Sequence, residues 1–459
     1  MHNRLAALLA LTLATVIVLP PAGGGLLPGV AVALADDDDG GDDDGGGSGS
    51  GGGGRGDGAG RSYRGDGGNF LRSLFGGPKR ETRRAPARRA VAVPDRAESE
   101  IVATGLDADA IAGLEQEGFV VGSRVQVALL GGEMVRLIAP RGMALDAARA
   151  AVVARSASAT VDFNHFYQPE AGKAGACARE GCTLVRHMVG WPADGGAGGA
   201  LCLKPQRIGL IDTAINAGHS VLENARLEVV HLGEAGGTAS GEQHGTAVAA
   251  LLVGTPESRV PGLLPGSELV AVDAFRRLRA SADVASVYDL VRALDLLVGR
   301  EIKVINLSLS GPANAILERS VAVAVDKGTI LVAAAGNDGP NARPVYPAAY
   351  DDVIAVTAVD KAGRPYRRAV RGDHIDIAAP GVGVWTAASV SGARQKTGTS
   401  FAAPFVTAAA AALLSAKPGL SPAAVEAELM RSAEDMGKPG KDAVYGWGLL
   451  NARMLCREG

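Results

Sequence analysis

Residues 207–214, Arg207-Ile208-Gly209-Leu210-Ile211-Asp212-Thr213-Ala214, begin a pattern that runs almost to the end of the chain. A short apolar run stops on a single carboxylate. Further apolar runs follow at Leu269–Ala274, Lys303–Leu309, Thr329–Ala335 and Val353–Thr357. Between them, Val284, Val287, Leu290, Val291, Leu294 and Leu297 share one helical face, and Ile316, Val321 and Val325 do so less cleanly. Strands that are apolar throughout, bridged by helices, predict a mostly parallel sheet covered on both sides: a three-layer α/β/α domain over residues 205–456. Ligands of such sheets bind at the carboxyl ends of the strands. The polar motifs of this chain sit there.

Upstream, the order of elements changes. Residues 100–168 predict a strand at Ile101–Ala103, a helix at 107–117, strands at Val125–Leu130 and Met134–Ala139, a helix at Leu145–Arg155 and a last strand at Thr160–Phe166. This β-α-β-β-α-β order fits a small two-layer α+β domain of ferredoxin-like type. It carries no evident catalytic cluster. Residues 169–204 read as an irregular connector containing cysteine.

The first 35 residues read as an export signal: Arg4, the apolar stretch Leu5–Leu19, then Ala33-Leu34-Ala35 at the cleavage positions. Pro20, Pro21 and the glycines at 23–25 interrupt that stretch short of the ~20 residues a membrane span needs, and no later segment reads as a span. Residues 36–68 are Asp/Gly/Ser low complexity and 79–96 are basic around prolines, so 36–99 reads as a disordered linker. Much of the chain's glycine lies in the first of these stretches. A net charge of −3 gives no reason to expect nucleic acid as a partner. Cys177, Cys182, Cys202 and Cys456 are disulfide candidates in an exported chain, with three pairings open. Their spacing does not suit zinc, so no metal site is expected.

Three segments carry the chemistry. Asp212 ends a buried strand, His244 in Gln243-His244-Gly245-Thr246 starts a helix, and Ser400 in Gly398-Thr399-Ser400-Phe401-Ala402-Ala403-Pro404 lies in the first turn of an apolar helix. A serine hydroxyl is a weak nucleophile until a base removes its proton, and imidazole titrates in the useful range. A buried carboxylate then fixes the tautomer and stabilises the imidazolium. The oxyanion needs donors, which Asn337 in Ala335-Gly336-Asn337-Asp338 and the Ser400 N–H can supply. Taken singly, each is an ordinary turn former, cap or surface residue. Together, at strand ends of one sheet, they predict acyl transfer. No histidine follows Ser400, which excludes the α/β-hydrolase order of Ser before His.

These motifs resemble those of the subtilases, the subtilisin-like serine peptidases, over roughly residues 205–455. The resemblance includes Asn306-Leu307-Ser308-Leu309-Ser310-Gly311, Ala378-Ala379-Pro380-Gly381 and Tyr445-Gly446-Trp447-Gly448. It implies a secreted endopeptidase acting on proteins or peptides, with Ser308, Leu309, Ser310, Ala335 and Gly336 at the substrate. It implies no cofactor for the chemistry; calcium sites are common in the family, but no carboxylate cluster here marks one. It also implies that residues 100–168 are a propeptide, chaperone and inhibitor of its own enzyme, with the tail near Asn164–Gln168 along the cleft and self-cleavage within 167–200; the alternative for that domain is an independent adhesion or partner-binding module. Two positions depart from the family pattern: Ala214 and Ser310 each stand where a glycine is usual. The competing readings are a silent binding protein that kept the fold and a maturase with one physiological substrate. An absent triad member would favour the first, and none is absent.

Overall fold

The computed structural model describes residues 93–170, 186–191, 204–232, 238–278 and 282–454. The export signal, nearly all of the linker, most of the connector and all four cysteines lie outside the described residues.

The first domain runs β1 (Arg96–Thr104), α1 (Ala108–Gln116), β2 (Val120–Val127), β3 (Gly132–Ile138), α2 (Leu145–Arg155) and β4 (Thr160–Pro169). Asp107 caps α1 by accepting from the Ala110 N–H at 2.8 Å. The strands pair antiparallel in the order β2-β3-β1-β4. Alternation along β1 sends Ile101 and Ala103 to one face and Val102 to the other. The first face packs on Ile111 and Leu114 of α1 and Val152 of α2. Val102, with Val127 and Met134, instead joins a core built by the second domain. Ordered strand therefore begins at Arg96, ahead of the expected start, and β4 continues past Phe166 to Pro169.

The second domain continues with β5 (Arg207–Asp212), β6 (Arg226–His231), α3 (Glu242–Val253), β7 (Glu268–Asp273), β8 (Phe275–Leu278), β9 (Ala282–Ser286) and α4 (Val287–Gly299). Then come β10 (Val304–Leu307), β11 (Leu309–Ser310), α5 (Ala315–Asp326), β12 (Ile330–Ala334), β13 (Val353–Val359) and β14 (Ile377–Pro380). The hairpin β15 (Val384–Ala387) and β16 (Ala393–Lys396) precedes α6 (Ala403–Ala416) and α7 (Pro422–Ser432). A seven-stranded sheet has the order β14-β13-β12-β10-β5-β7-β6, with every pair parallel. Residues of α3 and α6 fill the core on one side, and α4 and α5 fill the other. This is the three-layer α/β/α arrangement.

Three expectations change. Val284 belongs to β9, because Ser286 accepts from the Asp289 N–H at 3.2 Å and starts the helix only after itself. The edge strand β6 lacks an apolar run in the sequence, because Arg226 and Glu228 alternate with Leu227 and Val229 and the strand ends on His231. Thr399–Ala416 is, by length and composition, apolar enough to cross a membrane, contrary to the expectation that no later segment is. That segment is 83% buried, and its apolarity serves the inside of a globular core.

Candidate active site

Asp212 is the last residue of β5, where parallel strands deliver their side chains to the carboxyl edge of the sheet. Its Oδ1 accepts from the Thr213 N–H at 2.7 Å and from His244 Nδ1 at 2.7 Å. His244 is the third residue of α3, and the start of that helix is docked on the Asp212 loop. The Gly245 N–H donates to Thr213 Oγ1 at 2.9 Å. A Cβ on Gly245 would lie 2.3 Å from the Thr213 carbonyl oxygen and 2.7 Å from that of Ala214, so only glycine permits the approach. Ala214, at a usual glycine, is accommodated: it is buried, and its N–H donates to Ser240 Oγ at 2.8 Å. Ser240 in turn donates to Asp273 of the neighbouring strand at 3.1 Å.

Because Asp212 accepts from Nδ1, the neutral imidazole carries its proton there and leaves Nε2 as the base. Burial pulls the His244 pKa down, but the charge and hydrogen bond of Asp212 outweigh it, and the pKa is raised above the ordinary value of 6.5. Lys396 opposes that rise. Burial lowers Lys396 itself to about 8.

Ser400 occupies a 3₁₀ turn, Thr399–Phe401, immediately ahead of α6. A relay holds that turn. Thr407 Oγ1 donates to Asn306 Oδ1 (2.9 Å), Asn306 Nδ2 to Ser308 Oγ (2.8 Å), and Ser308 Oγ to the Ser400 carbonyl (3.0 Å). Asn337 is fixed from the other side. Its Oδ1 accepts from the Thr399 N–H at 3.1 Å and from Thr399 Oγ1 at 3.3 Å. Gly336, at φ +101°, makes the turn that brings it there, and a Cβ on it would lie 2.7 Å from Val345 Cγ2. With Oδ1 engaged, Asn337 Nδ2 is buried and has no hydrogen-bond partner among the described residues. An unpaired buried donor of that kind costs about 1–3 kcal/mol in a resting protein, which suits a group whose partner is a transient anion.

The structure also brings a residue absent from the sequence reading into this cluster. From Phe166 onward, β4 pairs first with one strand of the second domain and then with another. Phe166 and Tyr167 oppose Ser286 and Ala285 of β9, and Gln168 and Pro169 oppose Ser310 and Leu309 of β11. Glu170 follows, its N–H donating to the Ser308 carbonyl at 3.3 Å. Its own carbonyl oxygen accepts from Ser400 Oγ and lies 3.4 Å from His244 Nε2. Ser400 Oγ also reaches the Ser308 carbonyl at 3.3 Å. Ser400 and His244 thus meet at the Glu170 carbonyl oxygen, with no hydrogen bond directly between them among the described residues, while Asp212 backs His244, Asn337 is held on Thr399, and Ser308, Leu309 and Ser310 run along the tail. Ala335 and Gly336 stand behind the site, their N–H groups donating to Val356 O and Thr399 Oγ1. Among the described residues, no group of three or more His, Cys, Asp or Glu is arranged to hold a metal ion.

A family model described as "Subtilase family" matches residues 204–448, more than half of the chain. The chain belongs to the subtilase family. As a subtilase it is a serine endopeptidase, and it needs no cofactor for that chemistry. Subtilisin DY of Bacillus licheniformis is 33% identical over 250 residues, 53% of this chain and 88% of that protein. Subtilisin Savinase of Lederbergia lenta is 33% identical over 222 residues, 48% of this chain and 80% of that protein. Fervidolysin of Fervidobacterium pennivorans, a keratinolytic enzyme related to subtilisin, shares the fold of this subtilase. Its TM-score is 0.64 at 19% identity, covering 80% of this chain and 62% of that one.

Proposed function

We propose that this subtilase is exported and made as a self-processing precursor, with Ser400 as nucleophile, His244 as general base and Asp212 holding the imidazole. Asn337 Nδ2 and the Ser400 N–H donate to the oxyanion, and residues 100–168 form the inhibitory and chaperoning propeptide, whose tail runs on to Glu170. One observation carries the reading: the Glu170 carbonyl oxygen is in contact with both Ser400 Oγ and His244 Nε2, at the end of a strand paired in turn with β9 and β11. That contact sets a peptide carbonyl beside the nucleophile and the base, and attack then requires its oxygen to turn from Ser400 Oγ toward Asn337 Nδ2, which has no hydrogen-bond partner among the described residues.

The packing of the first domain supports the second half of the proposal. Its sheet lies on α4 and α5, where the Leu129 N–H donates to Asp295 at 2.6 Å and Asn314 Nδ2 to the Phe163 carbonyl at 3.1 Å. The buried Tyr167 hydroxyl donates to the Pro312 carbonyl at 2.8 Å. While the tail occupies the cleft, other substrates are excluded. Export rests on the signal-like residues 1–35, and the four cysteines would then pair as disulfides in an oxidising compartment.

The test is turnover of casein or a quenched fluorescent peptide by matured protein beside a Ser400→Ala preparation. The proposal expects turnover from the first and none from the second; equal rates in both would refute it.

A further inference from the structure

Glu170 lines a cavity of about 760 Å³ together with Ser310, Gly311, Asn337, Asp338, Tyr346 and Arg368. Glu170 is buried, and its carboxyl accepts a hydrogen bond from Ser310 Oγ. Ser310 is one of the two positions where this chain departs from the glycine usual in its family, so the departure falls on the atom that meets the tail's last described side chain. We infer that the enzyme cleaves its own chain on the carboxyl side of Glu170, and that Ser310 selects a glutamate or glutamine before the scissile bond. The inference rests on the proposed precursor reading and adds the bond and the substrate class.

The choice of side chain follows from length and hydrogen bonding. Glutamate and glutamine place an acceptor oxygen at the same distance from the backbone, within reach of Ser310 Oγ. Aspartate is one methylene too short. Leucine fills the space but leaves the hydroxyl unpaired, and a site built around a buried polar group discriminates strongly against an analogue lacking its partner. Asp338 shares the cavity and bears on the Glu170 carboxyl by its charge. It disfavours an ionised side chain, which is why glutamine belongs in the accepted class. Burial first, then Asp338, hold the Glu170 pKa above its ordinary value, against the opposing Ser310 hydrogen bond, the nearby His244 and the Asn337 amide, which faces the carboxyl without reaching hydrogen-bond geometry.

In the step itself, Ser400 Oγ adds to the Glu170 carbonyl carbon while its proton passes to His244 Nε2. The C–N bond to residue 171 breaks as that proton moves to the leaving amine. Water then adds to the ester, its proton again taken by His244. Glu170 leaves as a free carboxylate and the Ser400 hydroxyl is restored.

The experiment has two arms. In the first, full-length wild type and Ser400→Ala are produced in parallel, and their N-termini are read by mass spectrometry. The inference expects a mature chain beginning at Ala171 in wild type, and in Ser400→Ala only after wild-type enzyme is added. In the second, matured enzyme is given peptides Phe-Tyr-Gln-Pro-X followed by a fixed leaving sequence, with X as Glu, Gln, Leu or Lys. We expect kcat/KM for Glu or Gln to exceed that for Leu and Lys at least tenfold. Ser310→Gly, or Ser310→Ala if the first variant folds poorly, should bring the ratio over Leu to within threefold while Leu is still cleaved. A mature start at another residue, a preference for Leu or Lys, or an unchanged ratio in the Ser310 variants overturns the inference and leaves the peptidase reading standing. Failure of wild type to cleave any peptide sinks the peptidase reading itself.

Discussion

Replacing Asp212 by asparagine isolates charge from geometry. Asp212 Oδ1 accepts both the Thr213 N–H and His244 Nδ1, whereas Oδ2 is buried with no hydrogen-bond partner among the described residues. An asparagine placed with its oxygen at Oδ1 keeps both hydrogen bonds and puts its amide where no bond is lost. What disappears is the negative charge facing the imidazolium that forms as Ser400 attacks. Unit charges ~4 Å apart interact by about 4 kcal/mol at the effective dielectric of protein sites, about three powers of ten in rate. Asp212→Asn is therefore expected to lower kcat about 10³-fold with KM little changed. The charge of Asp212 also holds the His244 pKa up, so the acid limb of the kcat profile must move to lower pH. The assay is hydrolysis of a peptide substrate, normalised to titrated active sites, with Asp212→Asn/Ser400→Ala as background. A loss below tenfold, or an acid limb that stays in place, would refute the electrostatic role.

Other perturbations follow from the same geometry. His244 is raised above 6.5 and must be neutral to act, so wild-type kcat should fall as pH drops through that raised value. Lys396→Met removes an opposing charge and should move the limb further up, whereas a downward move contradicts the sign. Glu170 titrates above its ordinary value when bound, so a peptide ending Phe-Tyr-Gln-Pro-Glu holds that proton more tightly in the cleft than in water. Its inhibition constant should therefore weaken as pH rises from the free carboxylate value through the bound one, and the Gln analogue should not follow. Gly245→Ala forces a Cβ within 2.3 Å of a backbone oxygen. On a Ser400→Ala background it should cost about 1–3 kcal/mol, read as a drop of several degrees in the melting midpoint. Phe405, 1% exposed in the core beneath the site, should cost about 3–5 kcal/mol when cut to alanine, and denaturant titration of the same background checks it.

The parallel sheet was legible because β5, β7, β10, β12 and β13 are buried on both faces and read as unbroken apolar runs. Asp212, His244, Asn337 and Ser400 stood out because each lies beside a strand end or helix start with its own small-residue signature. The β8–β9 hairpin was not legible. Ala282–Ser286 flows into an amphipathic helix, and the boundary is set by one cap, Ser286. Glu170 was invisible for a different reason. Its role depends on β4 pairing with β9 and β11, partners more than a hundred residues later in the chain, and no local pattern encodes that. The departure at Ser310 was visible as a broken glycine motif, but its meaning required the carboxyl that meets it.

In the proposed mechanism Ser400, His244 and Asp212 act as one nucleophilic unit. Matured wild type treated with a fluorophosphonate and digested for mass spectrometry should carry the adduct on Ser400. His244→Ala, matured by added wild-type enzyme, should label at least a thousandfold more slowly. An adduct on another residue, or a labelling rate indifferent to His244, would contradict it.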